Sequence, residues 1–159
     1  MGGIFCDLEK AFDCVNHDRL LEKIKYHGIT GTAYKLIQSY LGNRYQRTAI
    51  KEKNSNKLFS SWKIAKHGVP QVSVLGTLLF LIYINDLPAS ISKIAKSIIF
   101  ADDTSIIVTN DNKIDFRHNL CLAMIEISNW LQCNRLTLNY DKTHFLQFLT
   151  KKINMNTVT

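Results

Sequence analysis

The chain has no cysteine pair at CxxC spacing and no Cys/His cluster with zinc-site spacing; Cys6, Cys14, Cys121 and Cys133 stand apart. That argues against a structural zinc module and predicts reduced, mostly buried thiols. There is no long hydrophobic run either. The longest, Leu78 to Ile84, falls far short of the ~20 residues that span a bilayer, so no membrane partner is expected. No basic leader with an apolar core and a cleavage site opens the sequence, so the expected location is nuclear or cytoplasmic, not secreted. Internal repeats, low-complexity tracts and linkers are missing too. Acid is scarce where base is dense: between Arg44 and Lys66 lie Arg44, Arg47, Lys51, Lys53, Lys57, Lys63 and Lys66, against Glu52 alone. This stretch carries nearly all of the net charge of +7.

What remains is an ordinary globular balance, 46% hydrophobic and 21% charged over 159 residues, enough for one domain with a real core. A short strand is expected over Ile4 to Leu8, ending near Asp7. A helix should start at Asn16 or His17, capped by Asn16, and stop at Gly28. A second spans Gly31 to Leu41, where Ala33, Leu36, Ile37, Tyr40 and Leu41 share a face. The basic stretch reads as two strands, 45–51 and 58–66, joined by KNSN. A buried helix follows from Val74 to Asp86, then a hairpin over 97–109. A long helix over 113–133 carries Ile114, Cys121, Met124, Ile125, Ser128 and Leu131 on one stripe. Leu136 to Asn139 and His144 to Leu149 look like short strands. Helices layered over one face of a sheet make the fold class α+β.

The apolar hairpin SIIFADDTSIIV sets two mutually repelling carboxylates, Asp102 and Asp103, at its tip. Asp suits tight turns, which is one reading. A hard divalent cation, which takes carboxylate and phosphate oxygens, is the other. Asp7, near the end of the first strand, is a third acid. If that strand pairs beside the hairpin, three carboxylates meet at one sheet end, as two-metal phosphoryl or nucleotidyl transfer requires. The basic stretch is likewise open to two readings, a phosphate-attracting patch or a solvated edge.

The motifs carry a resemblance. FCDLEKAFDCVNH resembles the first catalytic motif of reverse transcriptases from non-LTR (LINE-type, jockey-like) retrotransposons; HGVPQVSVLGTLLFLIYINDLP resembles the second and FADDTSI the third. NRLTLNYDKTHFLQF is similar to the segment after them. The resemblance implies an RNA-directed DNA polymerase palm with a ferredoxin-like core over residues 1–150, and a C-terminal tail over 151–159. It implies nucleotidyl transfer from a dNTP to a primer 3′-OH on an RNA template, with Mg²⁺ (or Mn²⁺) held by Asp7, Asp102, Asp103 and the Leu8 carbonyl. Phe12 would sit under the nucleotide sugar, Gln71 and Val72 would lie in the nucleotide loop, and Lys142 near the triphosphate. Arg44, Arg47, Lys51 and Lys53 would meet nucleic acid. Cap or structural roles suit Asp13, Asn85 and Asp86.

The family pattern PQGSVLGP reads here Pro70-Gln71-Val72-Ser73-Val74-Leu75-Gly76-Thr77. A β-branched Val72 would be strained if the loop kept a glycine-type conformation. The resemblance also leaves the family's fingers and thumb outside this sequence, to be supplied by the parent protein, and it predicts little activity from the 159-residue chain alone. Two alternatives stay open: a degenerate, non-catalytic remnant that binds nucleic acid, and a metal-dependent phosphohydrolase built on the same acids.

Overall fold

A computed structural model of the chain describes residues 1–51, 57–110 and 113–148. The elements are β1 (Gly2–Cys6), α1 (His17–Tyr26), α2 (Gly31–Leu41), β2 (Tyr45–Gln46), β3 (Ala49–Lys51), β4 (Lys57–Phe59) and β5 (Lys63–Ile64). They continue with α3 (Val74–Ile84), α4 (Leu87–Ile91), β6 (Lys96–Phe100), β7 (Asp103–Val108), α5 (Lys113–Cys133) and β8 (His144–Gln147). They fall into two compact units.

The first unit takes Met1–Glu9, Leu87–Leu131 and the described residues from Thr137. Its sheet is antiparallel, in the order β6-β7-β1-β8. Gly2 pairs with Val108 and Cys6 with Thr104, Phe5 pairs with His144, and Phe100 with Asp103. Strand side chains alternate between faces. Ile4, Cys6, Thr104, Ile106 and Val108 are buried on one face, while Phe5, Ile98 and Phe100 on the other are exposed. Helix α5 covers the buried face: Phe116 lies directly over Gly2, and Leu120 and Met124 share a small cavity with Ile4. Mixed helix and antiparallel sheet agree with the expected α+β class.

The expected α5 stripe is corrected except at Leu131, which is buried as expected. Phe116, Ala123, Ile127, Trp130 and Leu131 are buried, whereas Cys121, Ile125 and Ser128 are exposed. The Ile114 side chain is outside those described. Two heptad-like stripes coexist in this helix, and the one with the larger side chains, Phe116, Ile127 and Trp130, takes the core. The thiols are not mostly buried either: Cys6 is buried, Cys14 half-buried, and Cys121 and Cys133 exposed. Leu136 to Asn139 forms no strand, only a single bridge between Leu138 and Leu8.

The second unit takes Lys10–Asp86 and Gln132–Leu136. Helix α1 starts as expected, with the Asn16 side chain accepting from the Arg19 amide at 3.0 Å. Leu20 and Ile24 of α1 are fully buried, as are Leu79, Phe80 and Tyr83 of α3. Lys23 ties α1 to α3, its ammonium donating to the Tyr83 carbonyl at 2.6 Å and to the Asp86 carboxylate at 2.7 Å. The basic stretch folds back on itself as expected, but each arm breaks in two: β2 pairs with β5 and β3 with β4. At the break the Thr48 amide donates to the Ser60 hydroxyl at 3.0 Å. The KNSN connection, Lys53 included, and the 151–159 tail lie outside the described residues. By length and composition Val74–Ile91 could cross a membrane, yet it divides into α3 and α4, and Phe80, Tyr83 and Ile91 within it are fully buried.

Candidate active site

In the first unit the pairing decides where the acids stand. Cys6, the last residue of β1, faces Thr104, so continuing that register one step past the strand end sets Asp7 opposite Asp103, the first residue of β7. Asp102 fills the two-residue turn with Ala101, between the paired Phe100 and Asp103. All three aspartates therefore sit at one end of a single sheet. Alternation puts Asp7 and Asp103 on the open face with Phe5. Asp7 and Asp102 are half-buried and Asp103 is exposed. Ala101 takes φ 54°, a left-handed conformation that costs a residue bearing a Cβ.

The Leu8 main chain completes this end of the sheet. Around its bridge to Leu138, the Asp7 carbonyl accepts from the Asn139 amide and the Glu9 amide donates to the Thr137 carbonyl, both at 2.9 Å. Successive carbonyls alternate along an extended chain, so the Leu8 carbonyl turns away from this bridge toward the β7 side. Lys142 belongs to the same sheet end, two residues before the His144 that pairs with Phe5. Its amide donates to the Asn139 carbonyl and side chain, both at 3.3 Å.

Among the described residues no three His, Cys, Asp or Glu side chains gather closely enough to cage an ion. The donor set nevertheless suits Mg²⁺, which wants hard oxygens, keeps several waters, and is bound through one or two carboxylates plus substrate phosphates.

In the second unit the first two motifs are laced together by main-chain bonds. The Gly68 amide donates to the Val15 carbonyl and the Val69 amide to the Phe12 carbonyl, both at 2.8 Å. His17 Nε2 donates to the Gly68 carbonyl at 2.9 Å. Gly68 has φ 86°, and a Cβ there would meet the Asp13 main chain. Phe12 is 7% exposed and its ring stacks on that of Phe80 at 4.4 Å, a core position. Gln71 lines a cleft of about 730 Å³, together with Lys10, Asp13, Arg44 and Arg47. Val72 is fully exposed and is not among the positive-φ residues, so the strain expected there is absent. Lys51 is exposed on β3. Asn85 ends α3 and Asp86 pairs with Lys23, the structural roles expected of them.

Sequence reasoning misses the groups that hold this loop. Ser73 caps α3, its hydroxyl accepting from the Gly76 amide at 2.9 Å, and a Cβ on Gly76 would collide with the Pro70 carbonyl. Tyr83, hidden in an apolar run, donates its hydroxyl to the Asn134 carbonyl at 2.6 Å. Burial above all raises its pKa over the ordinary tyrosine value. Burial lowers that of Lys23, against the opposing pull of Asp86. A hydroxyl near the end of an otherwise apolar run is the one signal that points to Tyr83.

Similar proteins agree on one family. The chain is 30% identical over 146 residues to a probable RNA-directed DNA polymerase from transposon BS of Drosophila melanogaster, covering 88% of this chain and 16% of that protein. It is 25% identical over 155 residues to the RNA-directed DNA polymerase from mobile element jockey of the same species, covering 94% and 16%. The chain thus spans less than a fifth of the length of these relatives. Among solved structures, an apo telomerase from Candida tropicalis, truncated from its C-terminal domain, superposes with a TM-score of 0.66 at 18% identity, over 96% of this chain and 32% of that one. A Candida tropicalis telomerase in complex with a TWJ fragment of telomeric RNA gives 0.62 at 16% identity, over 91% and 26%. At such identities the likeness is one of fold. Residues 2–155 match the family described as reverse transcriptase (RNA-dependent DNA polymerase); that match runs from the first strand past the last, and the chain belongs to this family.

Proposed function

We propose that this chain performs the palm chemistry of an RNA-directed DNA polymerase, joining a dNTP to a primer 3′-OH on an RNA template. The observation that carries the reading is the strand register, which puts Asp7, Asp102 and Asp103 at one end of one sheet. Asp7 and Asp102 would hold the divalent cations, with Asp103 in support and the Leu8 carbonyl as a neutral oxygen. Ions held there would supply charge neutralisation to the displacement at phosphorus. Lys142 gives its proton to the leaving pyrophosphate, relieving charge as it develops. In the second unit Gln71 is the polar contact to nucleotide and the neighbouring Val72 is the exposed side chain of the same loop. Phe12, whose carbonyl anchors that loop, gives it a rigid floor, and the bases Arg44, Arg47 and Lys51 meet nucleic acid. An RNA partner is supported by the family and by the RNA-bound telomerase of similar fold.

The test pairs calorimetric Mg²⁺ titration, with and without a dNTP, with incorporation on a poly(A)/oligo(dT) template. Metal binding should tighten when the dNTP is present and vanish in Asp7→Asn and Asp102→Asn. Incorporation above an Asp102→Ala blank agrees with the proposal. Metal affinity indifferent to both the dNTP and these substitutions would overturn it.

A further inference from the structure

The second unit carries a cleft of about 730 Å³ whose lining among the described residues is strongly basic: Lys10, Arg44, Arg47 and Lys63, with His67, against Asp13 as the single acid among them. Three observations give this charge a purpose. Arg44 is rooted at the hairpin base, where its carbonyl accepts from the Ala65 amide at 2.8 Å, and its guanidinium lies 5.8 Å from the Tyr40 ring. Its Nη1 is nonetheless buried without a hydrogen-bond partner among the described residues. A buried charged donor left unpaired is costly, and an anion seated against it removes that cost.

Arg47 is the second. Its guanidinium lies 3.9 Å from the centre of the Phe59 ring and 4.5 Å from that of Trp62, and the two residues are nonetheless 49% and 59% exposed. The arginine is held in place beside aromatic residues that stay open to solvent and to a further flat partner. The third is the pairing of Lys51 directly opposite Lys57 across β3 and β4. Like charges facing each other weaken a strand pair unless a polyanion lies across them.

We propose that this cleft and its hairpin bind a nucleic-acid single strand: one phosphodiester seats against Arg44, and an adjacent unstacked base lies on Phe59 and Trp62. A basic groove interleaved with exposed rings suits a strand whose bases are free to stack on protein. A duplex, with its bases already stacked, offers this surface only phosphates. The proposal rests on the nucleic-acid-binding reading of the basic stretch and adds to it a built seat, a stacking position and a preference for single strands.

The test is fluorescence anisotropy on the full chain, with labelled oligo(U) RNA and a labelled RNA duplex of equal length, at several salt concentrations. Arg44→Gln should weaken oligo(U) binding about tenfold and flatten its salt dependence by about one released counterion. Trp62→Ala should weaken oligo(U) and leave the duplex unchanged, whereas Lys51→Gln with Lys57→Gln should weaken both alike. Thermal melts check that each variant folds. If Arg44→Gln does not, Arg44→Lys decides, since it keeps the charge but loses the planar fork, and binding as tight as the unmodified chain's would refute the seat. Unchanged affinity in Arg44→Gln, with an unchanged strand preference in Trp62→Ala, would also refute it, while leaving nucleic-acid binding through Lys51 and Lys57 intact. Failure of the unmodified chain to bind either RNA would overturn both readings. A third arm adds dTTP: if dTTP at equal phosphate concentration displaces oligo(U) fully, the seat belongs to a free triphosphate and the strand proposal falls.

Discussion

Ala101 holds a left-handed conformation at the turn that presents Asp102, where glycine would fit at no steric cost. Strain of this kind tends to be kept where geometry matters for function. Ala101→Gly should therefore raise stability by about 1 kcal/mol in urea denaturation, and the same change should loosen the placement of Asp102. Cys6 makes the opposite point one strand away. It is 5% exposed, and burial pushes its thiol from 9.0 up to about 11. The folded state holds this proton more tightly than the unfolded one, so the contribution is complete below pH 9.0 and is lost as pH climbs through about 11. The difference amounts to about 2–3 kcal/mol. Comparing urea midpoints of the unmodified chain and Cys6→Ala across that window isolates it, since Tyr83 and Lys23 are common to both. The steeper alkaline loss should belong to the unmodified chain.

Helix ends are legible where a capping side chain or a stop residue marks them, and α2 takes its expected bounds, Gly31–Leu41, with no side-chain cap at all, ended by Gly42. Asn16 marks the start of α1 because its short carboxamide accepts from one of the first turn's free amides, that of Arg19. Ser73 does the same for α3 but is hidden inside a motif whose missing glycine draws the eye. That absence also misleads: Val72 has no positive φ, and the loop places its left-handed glycine at Gly68 instead. Val72→Gly should thus cost about 0.4–1 kcal/mol through added freedom of the unfolded chain, where a relieved strain would give a gain; denaturant midpoints tell the two apart. The α5 stripe is illegible for a different reason. Period alone allows two neighbouring faces, and only packing volume chooses between them. The break in the hairpin arms comes from hydrogen bonding at Thr48 and Ser60, which no alternation of apolar and polar residues encodes.

For the molecule as a whole, motif order carries what periodicity cannot. No local pattern says that Gly2 will pair with Val108 or that Leu8 will meet Leu138; the placement of the three aspartates is foreseeable only because the motifs stand in family order. The same distances bear on time. Strand β1 has β7 and β8 as its neighbours, both about a hundred residues or more downstream, so during synthesis it must wait with both edges bare. The α1–α3 pair is closer in sequence and closes earlier, since contacts between distant segments form slowly. Pulse-labelled hydrogen exchange during refolding should find the amides of α1 and α3 protected before those of β1. Until then an unpaired strand with an apolar side is open to the wrong neighbour, and a nascent chain stalled before Asp103 should aggregate where the finished one stays dispersed.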